Sequence, residues 1–340
     1  MADIDSDKLQ KCKKELNILS IHKVDVKKKP ILIKLLRNFD VIVGALPPDF
    51  GFEMMKTAIE AGTDVVDISF VPENPLKLDS LARKKKVKVV PDCGVAPGIS
   101  NMLIGHAISE LKKVNEVYIK VGGLPVKHGP PLDYKIVFSF ETVIEEYTRR
   151  VTIVKDGKLK EVKPLSGLEE LDFKGFGKLE CFYTDGLRTL IHTIKGVKEM
   201  DEKTIRYPSH TVKIRTLLDC GFFDTDFIEF KGMKIKPRDF SLKLLAPKLA
   251  LGKEKDFTLL RVDVKGEKHL RYELIDYYRA GVTSMARTTG YPCAIVARMM
   301  KKIKGIGVIP PEKLGMDNVI FSEILKQLRK RNITIRQITF

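Results

Sequence analysis

The length of the chain, 340 residues, exceeds a single ordinary core and predicts two domains. Hydrophobic residues make up 44% of it and charged residues 31%, a balance that fits a soluble globular protein. The longest apolar runs, such as residues 41–43, are far shorter than the ~20 residues that span a bilayer, so we expect no membrane segment. The charged N-terminal segment lacks the apolar stretch of a secretory signal, so we expect a cytoplasmic protein.

Most of the formal net charge of +17 lies in the C-terminal two-thirds of the chain, where the basic residues are dispersed and not interleaved with aromatic residues. We therefore expect no nucleic-acid partner. The 5 cysteines include no C-x-x-C pair, and their odd number argues against a disulfide framework and for a reducing compartment. The 6 histidines show no metal-ligand spacing, so no metal site is predicted.

Strands alternate with helices in the first third of the chain. After a strand end at residues 1–5, the predicted elements are helix 6–16, strand 18–24, helix 30–38, strand 40–47, helix 50–61, strand 64–68, helix 76–85, strand 88–91 and helix 99–111. This alternation predicts an α/β fold with a Rossmann-like, doubly wound parallel sheet.

Beyond residue 116 the pattern changes to β-branched and aromatic alternation, which predicts an α+β domain. Its predicted strands are 117–121, 135–140, 150–154, 159–162, 177–183, 234–235, 256–266 and 269–276, and its predicted helices are 141–147, 187–194, 212–220 and 237–249. Asp156-Gly157 predicts a hairpin turn.

The last part of the chain is predicted to be helical again. Residues 288–292 read as the cap of an apolar helix that ends at Met300, and a final helix is predicted over 318–331. We expect both helices to pack back on the first domain. The predicted domains are therefore 1–116, an inserted 117–286 for substrate and dimer contacts, and 287–340.

Ligands of a doubly wound sheet bind beyond the carboxyl ends of its strands. Asp3 ends the opening strand, where an acid accepts hydrogen bonds from the adenosine ribose hydroxyls. Gly44-Ala45-Leu46 follows a later strand, and small residues there let a cofactor approach, although an ordinary βα turn uses the same residues. Ser69 follows the next strand and is placed to face a nicotinamide.

A G-x-G-x-x-G turn would cradle the pyrophosphate about 20 residues before Asp3. That position precedes Met1, so we expect the first strand and glycine loop to be missing from this Rossmann-like domain. We expect a start codon set too late, since losing the central strand would expose apolar surface on both faces of the sheet.

The segment from Asp92 to Asn101 is the strongest loop motif. Gly94, Pro97 and Gly98 before a helix start predict a rigid nest of N–H groups able to face a polar or anionic group. Cys93 reads as a packed residue, because no histidine lies near it in sequence to activate a thiol.

The second domain offers further candidates. Gly123 ends a strand, and Asp185 reads either as the N-cap of a helix or as a proton acceptor. Arg206 and His210 combine a carboxylate binder with an imidazole in a proline-stiffened segment.

A series of sequence motifs, taken in its order along the chain, resembles that of a known enzyme family. The motifs are V-G-A-L-P, V-D-I-S-F, D-C-G-V-A-P-G-I-S-N, V-G-G-L-P, Y-T-D-G-L-R-T-L, R-Y-P-x-H, T-G-Y-P and G-V-I-P-P-E-x-L-G. Together they resemble the saccharopine dehydrogenase-like oxidoreductases, nearest to lysine 6-dehydrogenase, over nearly the entire chain.

The resemblance implies NAD, with NADP as the possible alternative, in the first domain and an amino acid in the second, with hydride transfer in the cleft. The amine-bearing carbon of a basic amino acid such as lysine would become an imine, which hydrolyses to a semialdehyde and ammonia. It also implies a homodimer, and Asp3 would favour NAD by repelling a 2′-phosphate.

The resemblance also implies roles for single residues, which are expectations. The proton acceptor is Asp92, Asp185 or His210, and the substrate residues are Gly123, Tyr147, Arg188 and Arg206, either arginine binding the carboxylate. The cofactor residues are Asp3, Gly44, Ala45, Leu46, Ser69, Gly94, Pro97 and Gly98.

Two alternatives stay open. A saccharopine or carboxynorspermidine-type dehydrogenase would have to hold a second carboxylate. A non-catalytic relative that keeps the sheet without the phosphate loop would act as a binding module through its basic second domain.

Overall fold

The computed structural model describes residues 1–340 and contains two compact units. Unit 1 comprises residues 1–92 and 296–309, and unit 2 comprises residues 93–295 and 310–340. The two compact units do not show whether one part of the chain is inserted into another. The predicted division into residues 1–116, 117–286 and 287–340 therefore stays a prediction. None of the helices combines the length and the apolar character that crossing a membrane requires.

The first twelve elements alternate between strand and helix, except that a 3₁₀ turn directly precedes the fourth α-helix. From residue 1 to 125 they are β1 (Ala2–Asp3), α1 (Ser6–Leu16), β2 (His22–Lys23), α2 (Lys29–Leu36), β3 (Val41–Gly44), α3 (Pro48–Ala61), β4 (Asp64–Asp67), a 3₁₀ turn (Pro75–Leu78), α4 (Asp79–Lys85), β5 (Lys88–Val90), α5 (Ile99–Glu110) and β6 (Val114–Pro125).

The remaining elements belong to the second two-thirds of the chain. They are α6 (Phe140–Thr148), β7 (Val151–Lys155), β8 (Lys158–Val162), β9 (Glu169–Phe173), β10 (Gly177–Tyr183), α7 (Leu190–Thr193), β11 (Glu199–Arg206), α8 (His210–Asp219), β12 (Ile228–Phe230), β13 (Met233–Ile235), α9 (Pro237–Leu249), β14 (Asp256–Gly266), β15 (His269–Tyr277), α10 (Ser284–Met299), β16 (Gly307–Val308), α11 (Pro311–Met316), α12 (Asn318–Arg329) and β17 (Ile335–Thr339).

Unit 1 contains a parallel sheet with helices between its strands, as predicted. The strand order is β16-β5-β4-β3, and β1 and β2 form a separate parallel pair. Helix α1 begins where predicted, because Asp5 Oδ1 accepts hydrogen bonds from the backbone N–H groups of Asp7 and Lys8 at 2.9 and 3.0 Å. Helix α3 ends where predicted, because Gly62 adopts a left-handed conformation with φ 81°.

Unit 2 contains a mixed sheet whose path runs β17-β15-β14-β6-β11-β10-β9, with β7 and β8 attached. The long strand β6 lies centrally, parallel to β11 and antiparallel to β14. The predicted hairpin turn at Asp156-Gly157 is confirmed: φ is 52° and 74° at these residues, as a two-residue turn between β7 and β8 requires.

The strand predicted over residues 135–140 is wrong. Only Ile136 makes an isolated bridge, to Ala250, and α6 begins at Phe140. The alternating apolar residues of this segment pack into a core cluster with α6 and α9, so the pattern reflects burial without strand pairing.

The predicted cap at residues 288–292 is also wrong, because Pro292 lies inside helix α10. The helix begins earlier, where the backbone N–H groups of Ser284 and Met285 donate to the Asp256 carboxylate at 2.7 and 3.0 Å. That carboxylate comes from β14, so a residue distant in sequence decides where the helix starts.

Candidate active site

Arg206, Tyr147 and His210, which we call the Arg206 cluster, form a buried chain of hydrogen bonds in unit 2. Arg206 Nε donates to Tyr147 Oη at 3.1 Å, and Tyr147 Oη lies 2.9 Å from His210 Nε2. His210 Nδ1 lies 2.7 Å from the carbonyl oxygen of Leu132 and therefore carries the proton. Nε2 is then an acceptor, and the Tyr147 hydroxyl donates to it.

The imidazole of His210 is neutral in this environment. Burial first, and then the cations Arg206 and Lys213, lower the pKa of His210 to about 3. Both ring nitrogens have protein partners, and the residue is completely buried. The structure therefore places His210 where it orients Tyr147, and its role as proton acceptor stays a prediction.

The Arg206 guanidinium is held by the protein at three nitrogens. Besides Tyr147, it donates from Nη1 to the Ile205 carbonyl oxygen and from Nη2 to Glu146 Oε2, both at 2.9 Å. The ring of Tyr134 lies 4.5 Å from the guanidinium carbon. Only 1% of the residue is exposed, so its assignment to a substrate carboxylate stays a prediction.

Arg149, Asp185, Arg188 and Glu202, which we call the Asp185 cluster, lie in the same unit. Nη1 of Arg149 and Nη1 of Arg188 each lie 3.9 Å from Asp185 Oδ2. The Asp185 side chain is 22% exposed, more than either arginine. Two cations therefore flank a carboxylate that is accessible from outside.

Glu202 lies against the backbone of Gly186, the residue that follows Asp185. A Cβ at Gly186 would come within 1.7 Å of Glu202 Oε2, so a side chain there would displace the buried carboxyl group. Burial first, and then the charges of Glu146 and Asp185, raise the pKa of Glu202 well above its ordinary value. Its Oε2 atom accepts no hydrogen bond and is inaccessible to water.

Sequence reasoning missed Arg149, Glu146 and Glu202. Met200, Glu202 and Thr204 occupy every second position of β11, and their side chains are buried. An acid at one of these buried positions was the sequence feature that could have identified Glu202. The strand itself was not predicted, because E-M-D-E-K-T-I-R reads as an exposed segment.

The reading of Asp185 as a helix N-cap is wrong. Helix α7 begins only at Leu190, and its N-cap is Thr189. Arg188 lies between them with φ 53°, a left-handed conformation that interrupts any helix starting at 187 and that is rare for a side chain of this size.

Gly123, a predicted substrate residue, lies at the end of β6 and is buried. A Cβ there would come within 2.3 Å of Met285 Cε and 2.8 Å of Val137 Cγ2. The absence of a side chain is therefore required by packing, and a contact with substrate stays a prediction.

The loop of unit 2 that contains Gly94, Pro97 and Gly98 is mostly buried and is held by hydrogen bonds of its own. The Gly94 N–H donates to the Pro97 carbonyl oxygen at 3.0 Å, and the Gly98 N–H donates to Asn101 Oδ1 at 3.1 Å. Gly98 has φ 134° and approaches Gly94 so closely that a Cβ would lie 2.1 Å from the Gly94 oxygen. Two of the N–H groups expected to face a ligand thus donate within the loop.

In unit 1 the predicted cofactor residues meet at the ends of β3 and β4. Ser69 Oγ accepts from the Leu46 N–H at 3.0 Å and donates to Asp67 Oδ2 at 2.9 Å. A Cβ at Gly44 would lie 2.0 Å from the same carboxylate oxygen. Gly44, Leu46 and Ser69 are therefore brought together, and Ala45 is exposed beside them.

The Asp67 carboxyl is the most perturbed acid of this turn. Burial is the main cause that raises the pKa of Asp67 to about 7, and Asp92, which is also buried, adds to the shift. A proton is thus bound more tightly in the folded than in the unfolded state, so stability is lost as the pH rises toward 7.

We expect the Asp67→Asn variant to remove this pH dependence. Each pH unit between the two pKa values corresponds to ~1.4 kcal/mol, so from pH 5 to 7 the variant should lose about 2 kcal/mol less unfolding free energy than the wild type. Urea unfolding at both pH values measures the difference. Asp40→Asn, at an 83% exposed side chain of the same unit, serves as control and should follow the wild type. Parallel curves for the wild type and Asp67→Asn would contradict the expectation.

Asp3 lies at the carboxyl end of β1 and is half-buried. Its Oδ1 accepts from the Asp5 N–H at 2.9 Å, and its backbone is paired in register with Lys23 of β2. An acid at this strand end suits a ribose hydroxyl, and the small-residue turn at Gly44 suits close approach by a ring. The residues of unit 1 therefore fit the two ends of a nicotinamide dinucleotide.

Comparison with known proteins places both parts of the chain in one family. The sequence model described as "Saccharopine dehydrogenase NADP binding domain" matches residues 1–90. The one described as "Saccharopine dehydrogenase C-terminal domain" matches residues 94–333. The chain belongs to the saccharopine dehydrogenase family. The resemblance seen in the motifs is confirmed, as is the expected class, a dehydrogenase that uses a nicotinamide cofactor, NADP or NAD.

Individual relatives agree with this membership. Saccharopine dehydrogenase [NADP(+), L-glutamate-forming] of Saccharomyces cerevisiae is 24% identical, over 88% of this chain and 85% of its own length. Carboxyaminopropylagmatine dehydrogenase of Synechocystis is 25% identical, over 84% of this chain and 78% of its own length.

A solved structure extends the likeness to the fold. The apo saccharopine dehydrogenase (L-Glu forming) from Saccharomyces cerevisiae aligns with a TM-score of 0.79 at 21% identity, covering 100% of this chain and 93% of that one. The predicted fold class, a Rossmann-like parallel sheet with a second α+β domain, is thereby confirmed.

Proposed function

We propose that this saccharopine dehydrogenase family member oxidises the amine-bearing carbon of a basic amino acid, with lysine as the first candidate substrate. Unit 1 would hold the dinucleotide and unit 2 the amino acid. The observation that carries the proposal is the Asp185 cluster, in which guanidinium groups and carboxyl groups lie side by side. Such a set matches the carboxylate and the ammonium of an amino acid at once.

The basic and the acidic residues of the Asp185 cluster have different roles. Arg188 binds the substrate carboxylate, and Asp185 takes a proton from the ammonium, which leaves the nitrogen lone pair free. A nicotinamide dinucleotide held by unit 1 would supply the acceptor for the hydride that the amine-bearing carbon loses. The carbon–nitrogen bond then becomes an imine, and water converts it into a semialdehyde and ammonia.

The buried groups behind the cluster support these roles. The raised pKa of Glu202 favours its neutral form, in which it adds no second negative charge beside Asp185. Arg206 binds both Tyr147 and Glu146. These two residues belong to helix α6, and Arg149 follows at the end of that helix. We propose that Arg206 and His210 position helix α6 beside the Asp185 cluster and that Asp185 is the proton acceptor.

A saccharopine or carboxynorspermidine-type reaction is the second candidate. Arg149 provides a second guanidinium within the Asp185 cluster, as a substrate with a further carboxylate requires. The names of the relatives from yeast and Synechocystis, aligned over most of this chain, favour such a substrate.

Steady-state oxidation assays test the proposal. The purified protein is given NAD⁺ or NADP⁺ with either lysine or saccharopine, and formation of the reduced nicotinamide is followed by absorbance. Turnover of lysine supports the first candidate, and a preference for saccharopine supports the second. No turnover and no nicotinamide binding would leave the binding-module alternative.

The Arg188→Ala variant serves as the matched probe of the carboxylate site. Loss of a charge-assisted pair should raise KM for the amino acid at least ~10-fold, with the dissociation constant of the dinucleotide unchanged. Equal KM values for variant and wild type would remove Arg188 from the proposed site.

The choice of dinucleotide, the compartment and the assembly are further parts of the proposal. Asp3 favours NAD, whereas Lys23 beside it offers a cation to a 2′-phosphate, and the assays with both dinucleotides decide. All 5 cysteines are free, which fits the reducing cytoplasm. We also propose a homodimer.

A further inference from the structure

Glu312 is an acid of unit 2 whose side chain meets three neutral polar groups. It is the second residue of α11 and is completely buried. Its Oε2 atom accepts hydrogen bonds from Asn101 Nδ2 at 3.2 Å and from Thr189 Oγ1 at 2.9 Å. Its Oε1 atom contacts Thr193 Oγ1. The carboxyl group therefore connects α11 with the start of α5 and with α7.

The α5 side of this connection is fixed by close packing. A Cβ at Gly105 of α5 would lie 2.0 Å from the Glu312 carbonyl oxygen. A Cβ at Gly315 of α11 would lie 1.9 Å from the Met102 carbonyl oxygen. The Asn101 side chain is held as well, because its Oδ1 accepts from a backbone N–H of the preceding loop at 3.1 Å. Glu312 is therefore anchored to two helices whose backbones are in contact.

The α7 side of the connection is the segment that carries Arg188. Thr189 follows Arg188 directly and is the N-cap of α7. A threonine at an N-cap usually accepts a hydrogen bond from the first turn of its helix, but the Thr189 side chain makes no such bond and its hydroxyl donates to Glu312. The backbone of Arg188 has φ 53°, a left-handed conformation that persists only where the surroundings hold it. The bond from Thr189 to Glu312 supplies such a restraint.

The donors and acceptors around Glu312 balance when its carboxyl group carries a proton. The Thr193 hydroxyl has one proton but meets two acceptors, since its Oγ1 lies 3.0 Å from the Thr189 carbonyl oxygen and also contacts Glu312 Oε1. With a proton on Oε1, Glu312 donates to Thr193, and Thr193 donates to the Thr189 carbonyl oxygen. Burial raises the pKa of Glu312, which favours the same neutral form.

We infer that Glu312, as a neutral carboxyl group, is a positioning residue that holds Thr189 and Thr193 and thereby sets Arg188 for the substrate carboxylate. All of these residues belong to unit 2. Because Glu312 is completely buried, it acts on the substrate through Arg188. The inference rests on the proposed function, in which Arg188 binds the carboxylate.

Steady-state kinetics of three variants test this role. Glu312→Leu removes the hydrogen bonds at similar size, so it should raise KM for the amino acid ~3–10-fold and leave kcat and the dissociation constant of the dinucleotide nearly unchanged. Glu312→Gln should keep KM within ~2-fold of the wild type, because its amide N–H and C=O reproduce the donor and the acceptor of the neutral acid. Lys313→Ala, at the exposed next position of α11, is the matched control and should leave KM unchanged.

A double-mutant cycle shows whether Glu312 acts through Arg188. Glu312→Leu added to Arg188→Ala should raise KM no further, because the group that Glu312 positions is already absent. Additive effects of the two substitutions on KM would overturn the inference, and so would a Glu312→Leu enzyme with the KM of the wild type. A Glu312→Gln enzyme as impaired as Glu312→Leu would overturn it too.

Hydrogen exchange of the unliganded proteins separates this inference from the proposed reaction. Amides of residues 186–193 should exchange at least ~10-fold faster in Glu312→Leu than in the wild type and in Lys313→Ala. Thr189→Val, which removes a single bond and leaves Glu312 in place, should show the same change in a more weakly perturbed fold. If the wild type oxidises neither lysine nor saccharopine, the proposed reaction fails, and these exchange rates alone decide the positioning role. Unchanged exchange over 186–193 in both variants would overturn it.

Discussion

Replacing Arg206 by leucine is expected to lower the free energy of unfolding by about 3–5 kcal/mol, the cost typical of breaking a buried ion pair from one side. The substitution leaves the partly buried Glu146 without this guanidinium partner, and it removes the donor to Tyr147 Oη. The chain of hydrogen bonds through His210 would then lose its orientation. Urea unfolding of both proteins measures the loss.

Arg150→Leu is the matched control, because its side chain is 86% exposed and its pair with Glu161 lies at the surface. It should change stability by less than ~0.5 kcal/mol. If Arg206→Leu unfolds like the wild type but raises KM for the amino acid, Arg206 binds the substrate carboxylate and the positioning role is wrong.

The Asp185→Asn variant is expected to lower kcat about 10²–10⁴-fold, the usual contribution of a positioned general base. Asparagine keeps the shape of the side chain but cannot take a proton from the substrate ammonium. Arg149 and Arg188 remain in place to bind carboxylates, so KM should change far less than kcat. Initial rates with the substrate identified in the assays give both constants.

Asp219→Asn, at an exposed acid near the end of α8, controls for the loss of one negative charge and should leave kcat unchanged. Unfolding curves should show that Asp185→Asn is folded, since its side chain is partly exposed and lies outside helix α7. A variant that retains most of the wild-type kcat would show that another group accepts the proton.

The sequence predicted the elements whose information is local. The extents of α1 and α9, the end of α3 at Gly62 and the hairpin turn at Asp156-Gly157 follow from capping residues and turn residues a few positions apart. The alternation of strands and helices likewise predicted the parallel sheet of unit 1.

Elements whose stability depends on distant residues were not predictable in this way. Helix α10 begins at Ser284 because Asp256 of β14 accepts from its first N–H groups, so Pro292 lies inside the helix and not in its cap. Strand β11 was missed because its charged sequence is typical of a surface, although Lys203 within it is buried and bonds the Gly167 carbonyl oxygen and Glu169.

The candidate site shows the same division. Motif order alone was enough to indicate the family and to select Tyr147, Asp185, Arg188, Arg206 and His210 as candidates. Only the tertiary structure distinguished the buried Arg206 cluster from the partly exposed Asp185 cluster. Only it added Glu202, which lies next to Gly186 in space but 16 positions away in sequence. The physical reason is that residue type and spacing specify which chemistry is possible, whereas burial and charge pairing, which set pKa and access, arise from contacts between distant segments.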